Sequence, residues 1–307
     1  MKQYLSLLQE VLNNGTQQPN RTGIDTLSIP GAMMKFDLAD GFPAVTTKKL
    51  AFKSMVGELV AFLRGADSAE QFRNLGCGFW DQNANENKAW LNNPNRVGRP
   101  DYLGRVYGVQ WRSWKKHNLV LTGGNADGTK NYKGQIEEID QVMGALNTIH
   151  NDPNNRRIIV NAWRPDEFDQ MALPPCHVLY QFLVNVPKRE ISLCMYQRSC
   201  DLFLGVPMNV ASAALFLSIV GRLTGYTPRH FTHFLADAHI YVNHLDQIQE
   251  QLSRAPRALP KLVFVNDRVP EFHKDGFHPE WIDLIEPMDF ALDGYDPHPA
   301  IKAPMAV

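Results

Sequence analysis

Cysteine is scarce in this sequence and is never paired in the way that redox or zinc chemistry needs. The four cysteines, Cys77, Cys176, Cys194 and Cys200, show no CxxC spacing and are too few for a disulfide framework in 307 residues. Free thiols are expected. Net charge is scarce too: 31 Lys plus Arg against 32 Asp plus Glu leave no global field that would draw the chain to duplex DNA or an anionic membrane. The longest apolar stretch, from Val210 to Val220, is too short to span a bilayer and soon meets Arg222. The opening MKQYLSLLQEVL reads as an amphipathic helix, not as the apolar core of a signal peptide. A cytoplasmic protein is expected, with no membrane or nucleic-acid partner.

Motifs of several common chemistries are missing. There is no Walker A run, and GGNADG at 123–128 lacks GxGxxG spacing. The histidines His230, His233, His239 and His244 carry neither HExxH nor a cysteine partner pattern, so no metal is expected.

What is present is an ordinary globular composition, 44% apolar and 21% charged, long enough for one large domain over 1–307. Apolar runs at 27–29 and 33–36, with Pro30-Gly31 between them, suit two strands joined by a turn. Helical periods occupy 51–63 and 136–149, and a largely apolar, buried helix is expected at 209–223. Strand patterns cover 157–163, 176–186, 190–200, 231–236 and 262–265, with a further helix at 241–252. Polar segments at about 84–104 and 115–134 read as surface insertions. The class is α+β.

Cys176 follows two prolines at the start of an apolar strand. It could be a nucleophile where arginines stand near it, because the thiolate is the reactive species; a small buried hydrophobe is the bland alternative. Arg156-Arg157 open one predicted strand and Arg198 closes another, in YQRSCD. Arginine is costly in a sheet unless it meets an anion, and phosphate fits its planar fork, with Ser199 adding a hydroxyl; pairing with acids such as Asp201 is equally compatible. Glu58 could fall near the edge of an apolar helical stripe, where partial burial would raise its pKa toward proton-relay values; a solvated surface carboxylate is the commoner place for a helical Glu.

Taken in order, these residues resemble the thymidylate synthase family. The likeness runs through NRTG at 20–23, GFPAVTTKK at 41–49, VYGVQWR at 106–112, RRIIVNAW at 156–163, LPPCH at 173–177, YQRSCDLFLGVPMN at 196–209, HIYVNH at 239–244 and GYDPHPAIKAPMAV at the carboxyl end. The resemblance implies a single catalytic domain on a large mixed sheet flanked by helices, and an obligate homodimer. It implies conversion of dUMP to dTMP, with 5,10-methylenetetrahydrofolate as a consumed co-substrate and no metal.

By the same resemblance, Cys176 adds to carbon 6 of uracil, Glu58 manages protons through water, and Tyr107 helps remove the carbon 5 proton. Arg21, Arg198 and Ser199 hold the phosphate together with Arg156 and Arg157 from the partner chain. His239 and Tyr241 hold the deoxyribose hydroxyl, and Asn209 reads the uracil edge. Folate falls to Lys48, Trp80, Asp201, Gly205, Ala306 and Val307, with Asp201 also counted among the catalytic and nucleotide residues. Strict alternation would place Arg198 and Ser199 on opposite strand faces, so a bulge or strand end is expected there. Some family positions differ: Asn83, Ala51, Arg105 and Met208 replace a usual Trp, His, Pro and Phe. Because these changes are expected on the folate side, a dUMP hydroxymethylase ending in water addition is an alternative, as is a non-catalytic nucleotide binder.

Overall fold

The computed structural model describes residues 1–265 and 268–305. In chain order the elements are α1 (Lys2–Asn14), β1 (Thr16–Gln18), β2 (Thr26–Asp37), α2 (Phe52–Leu63), α3 (Ala69–Asn74), α4 (Asp81–Asn85), α5 (Lys88–Leu91), α6 (Tyr107–Arg112), β3 (Trp114–Gly124) and β4 (Lys130–Ile139). There follow α7 (Gln141–Asn151), β5 (Ile159–Asn161), β6 (His177–Asn185), β7 (Glu190–Asp201), α8 (Gly205–Thr224), β8 (Thr227–Tyr241), α9 (Leu245–Ser253), β9 (Lys261–Phe264), α10 (Phe272–Asp275) and β10 (Phe290–Asp293).

Six strands form the main sheet in the order β1-β2-β8-β7-β6-β5. Only β7 and β8 run parallel, joined by α8 as the crossover that a parallel pair needs. Alternation puts Ile191, Leu193 and Met195 of β7 and Phe231 and Leu235 of β8 on the buried face. Phe216 of α8 anchors the helix layer there, stacked on Trp111 at 5.6 Å and edge-on to Tyr180 and Phe182 of β6.

The opposite face has no such cover. Met33, Phe234 and Tyr196 lie in one cross-strand row and are 62%, 41% and 42% exposed, with Leu183 and Ile159 at 41% and 42% further along the sheet. Exposed apolar side chains gathered on one sheet face suit an interaction surface.

Several expectations are corrected. The turn at Pro30-Gly31 is instead a kink inside one 12-residue strand, where Gly31 takes φ +70° while Pro30 pairs with Asp237 and Ala32 with Leu235. The helix expected from 136 begins only at Gln141, because the Asp140 carboxylate accepts the Met143 N–H and caps it there; Ile136 and Ile139 belong to β4. The insertion at 115–134 is ordered as the exposed β3–β4 hairpin. In 84–104, Trp90 and Leu103 are driven into the core and the Trp90 indole donates to the Tyr102 carbonyl at 2.7 Å, so this segment is not wholly superficial.

Helix α8 starts at Gly205 with Pro207 in its first turn, and its 20 residues have membrane length; 83% of its apolar window is buried inside the protein. The helix expected from 241 is a short 3-10 turn, Val242–His244, leading into α9.

Candidate active site

Cys176 precedes β6 and is half-buried. Its N–H donates to the Tyr107 hydroxyl at 2.6 Å, and its carbonyl accepts the Arg198 N–H at 2.9 Å. The Arg198 guanidinium donates to the Pro175 and Pro174 carbonyls at 2.9 and 2.8 Å and lies over the Trp163 ring. The Pro-Pro-Cys turn is thus held by backbone and side chain of one residue. The irregularity expected at Arg198 and Ser199 falls just before them: the register of the β6–β7 ladder shifts between His177 and Leu179, opposite Gln197 and Tyr196.

Across from this turn, α2 presents Glu58, whose carboxylate accepts the Trp80 indole N–H at 2.9 Å. Burial pushes its pKa up to about 7, against the opposing pull of that hydrogen bond. Tyr107 stacks on Phe62 at 4.9 Å and meets the edge of Trp80 at 5.5 Å; burial raises its hydroxyl well above the usual phenol range.

At the start of α8, the Asn209 carboxamide oxygen accepts from Gln197 Nε2 at 3.1 Å. Gln197 Nε2 also donates to the Ser199 carbonyl at 2.9 Å, and its Oε1 meets His233 Nε2 at 2.9 Å. A carbonyl can only accept, so the Ser199 contact decides which end of Gln197 carries nitrogen. Burial pushes His233 down to about 3 and His177, beside Asn209, down to about 4, so both rings are neutral near pH 7. The sequence reading missed Gln197, His233 and His177 as supports. Each is a polar residue in an apolar strand, which by itself gives no sign of what it supports.

The parallel sense of β7 and β8 opens their carboxyl ends on the same edge. Asp201 there accepts the N–H groups of Phe203 and Leu204 at 2.9 and 3.2 Å, leading the chain into α8 at Gly205. His239 pairs with Asp201 across the ladder and lies edge-on to Tyr241 at 5.4 Å. Burial opposes charge on His239, but Asp237 outweighs it and raises the imidazole pKa.

Lys48 is buried, with its ammonium 3.4 Å from the centre of the Phe203 ring and donating to the Phe203 carbonyl. Burial pushes its pKa down to about 7 against the attraction of Asp201. Ala306 and Val307 lie outside the described residues. Arg21 is exposed in the turn after β1. Arg156 and Arg157 are exposed beside β5, lining a depression with Asp152, Asn154 and Asn155 that is separate from Cys176 within this chain.

Of the departed positions, Arg105 is no part of an open cleft: it is buried, donates to Glu167 at 2.5 Å and to the Ser113 carbonyl at 2.6 Å, and so pins the hairpin root. Ala51 is exposed ahead of α2, while Asn83 and Met208 are half-buried in α4 and α8. Among the described residues, no group of three or more His, Cys, Asp or Glu is placed to hold a metal. A cavity of about 580 Å³ lies at the other end of α8, around Gly225, Phe264 and Leu38.

A thiol and a half-buried acid that both act on Tyr107, and a fixed carboxamide beside His177, agree with the similarities of the whole chain. The family model described as thymidylate synthase matches residues 2–307. Proteins named thymidylate synthase from Pseudomonas syringae pv. tomato, Pseudomonas putida and Bordetella parapertussis are 53%, 54% and 52% identical, each over 100% of both chains. The chain belongs to the thymidylate synthase family. It is an enzyme, a methyltransferase of the kind that makes thymidylate, and the family's substrates are dUMP and methylenetetrahydrofolate. The hydroxymethylase alternative is not favoured by these full-length thymidylate synthase relatives.

Proposed function

We propose that the cleft converts dUMP to dTMP by covalent catalysis at Cys176. The observation that carries this reading is the Cys176 turn, clamped by Tyr107 and Arg198, with the half-buried Glu58 of raised pKa acting on the same Tyr107. The sulfur adds to carbon 6 of uracil, making carbon 5 a nucleophile toward the one-carbon unit of the folate. Glu58, with a pKa near neutrality, is suited to pass protons through water, and Tyr107, whose hydroxyl stays protonated, to help remove the proton from carbon 5 as a hydrogen-bonding partner. Loss of that proton expels tetrahydrofolate from the bridging carbon and leaves an exocyclic methylene on carbon 5; hydride from the tetrahydrofolate then adds to this methylene as the sulfur leaves carbon 6, giving dTMP and dihydrofolate.

Asn209 reads uracil because its oxygen can accept from the ring N–H while its nitrogen donates to the carbonyl at carbon 4. A flipped amide would suit cytosine, and the Gln197 contact disfavours the flip. His239 and Tyr241 would hold the sugar hydroxyl, and Asp201, Gly205, Lys48, Trp80 and the Ala306-Val307 end would serve the folate. Arg21, Arg198 and Ser199 would hold the phosphate with Arg156 and Arg157 of the partner, in a homodimer joined through the open sheet face bearing Met33, Tyr196 and Phe234. A cytoplasmic location is consistent with the burial of α8 in the core.

The test is incubation with dUMP and methylenetetrahydrofolate, following dihydrofolate absorbance and the mass of the nucleotide product. Matched dTMP and dihydrofolate, both lost in Cys176→Ser, are expected. Hydroxymethyl-dUMP without folate oxidation would sink the reading.

A further inference from the structure

The chain after Pro299 runs back toward the cleft with little to hold it. Arg254 donates to the Pro299 carbonyl at 2.6 Å and to the Thr47 carbonyl at 3.0 Å, and His298 N–H donates to Thr46 at 2.8 Å. Beyond these anchors Ile301 and Ala303 rest on the core. Among the described residues, one hydrogen bond ties the chain down from Ala300 to Met305: His244 Nε2 to the Pro304 carbonyl at 2.7 Å.

His244 is fully buried. A carbonyl can only accept, so Nε2 carries the proton, and Nδ1 is left as a buried acceptor without a hydrogen-bond partner. The ring packs against Phe203 at 5.5 Å and Tyr241 at 5.7 Å. Phe203 in turn carries the Lys48 ammonium on its face, and Tyr241 neighbours His239. One imidazole therefore touches the wall assigned to the sugar, the residue that seats Lys48, and the carboxyl-terminal segment.

We propose that His244 is a positioning residue that registers the carboxyl-terminal segment, through the Pro304 carbonyl, against the Phe203–Tyr241 wall. It rests on the functional reading above for its consequence at the folate end, but the register itself does not. Gln in place of His keeps an N–H donor at similar reach, Leu removes the donor while filling the space, and Asn keeps an amide too short to reach Pro304.

The measurement is release of carboxyl-terminal residues by a carboxypeptidase from the full chain, in the parent and in His244→Gln, His244→Leu and His244→Asn. A buried bond of ordinary worth predicts release about tenfold faster in His244→Leu and His244→Asn, with His244→Gln close to the parent. His244→Leu should also raise the KM for methylenetetrahydrofolate severalfold while dUMP affinity stays within about twofold. If His244→Leu does not fold, the Asn and Gln pair gives the same comparison. Equal release rates in the folded variants would overturn the proposal, as would Gln behaving like Leu or Asn. A chain that made no dTMP but showed the release pattern would overturn the functional reading and leave the register standing.

Discussion

Replacing Glu58 by Gln should stabilise the protein at alkaline pH while stopping its chemistry. Glu58 ionises near its ordinary value of 4.5 in the unfolded chain and at about 7 in the cleft, where burial disfavours the charge. Between these values the folded protein binds more protons than the unfolded chain, so stability falls as pH rises from about 4.5 and levels off above about 7. Below that window both states are protonated and nothing is lost. At about 1.4 kcal/mol per pH unit the full loss is about 3 kcal/mol, reduced to about 2 because the carboxyl is only half-buried. Gln has no charge to desolvate and keeps an oxygen for the Trp80 indole. At about 2 °C per kcal/mol for a chain of this size, Glu58→Gln should melt about 4 °C above the parent at pH 8 and together with it at pH 4.5. Thermal melts from pH 4.5 to 8.5 at one fixed protein concentration measure this. A constant offset across that range would refute a buried acid with a raised pKa.

Asn209→Asp should lower activity on dUMP by at least tenfold and bring dCMP turnover into range, read as the ratio of the two kcat/KM values; unchanged discrimination would count against Asn209 as the base reader. Mixing Arg156→Ala with Cys176→Ser chains should restore about a quarter of the sites, the share that random pairing in a two-fold dimer gives, whereas no recovery would place Arg156 outside the partner's site. Phe234→Glu on the open sheet face should shift the sedimenting species from dimer to monomer and abolish activity with it. Arg105→Ala leaves Glu167 buried without its closest cation and should cost about 3 kcal/mol in urea unfolding, with little change in KM.

Much of the fold was legible because its signals were local. Alternation in 190–200 and the apolar run around 209–223 give β7 and α8 to within a few residues. The misreadings have different causes: pairing with β8 carries Pro30-Gly31 through a continuous strand, whereas the local Asp140 cap holds the helix expected from 136 back to Gln141. At the site, the order of motifs pointed to Cys176, Glu58 and Asn209 by type and place. Gln197 and His233 stayed hidden because their importance lies in whom they face, and a hydrogen-bond relay across two parallel strands has no linear spacing. Arg105 looked like a change in the cleft and is a buried clamp, which only its meeting with Glu167 reveals.

The β3–β4 hairpin has a consequence for handling the molecule. Among the described residues its two strands pair only with each other, Leu119, Leu121, Tyr132 and Ile136 stand largely exposed, and its root is clamped by Arg105 and by Arg164, which donates to the Lys115 carbonyl at 2.5 Å. Events at the tip end at that clamp. The turn at 125–128 is therefore the place to nick the chain, attach a label or splice in a passenger sequence, since lengthening a loop costs little and no residue of the cleft hangs from it.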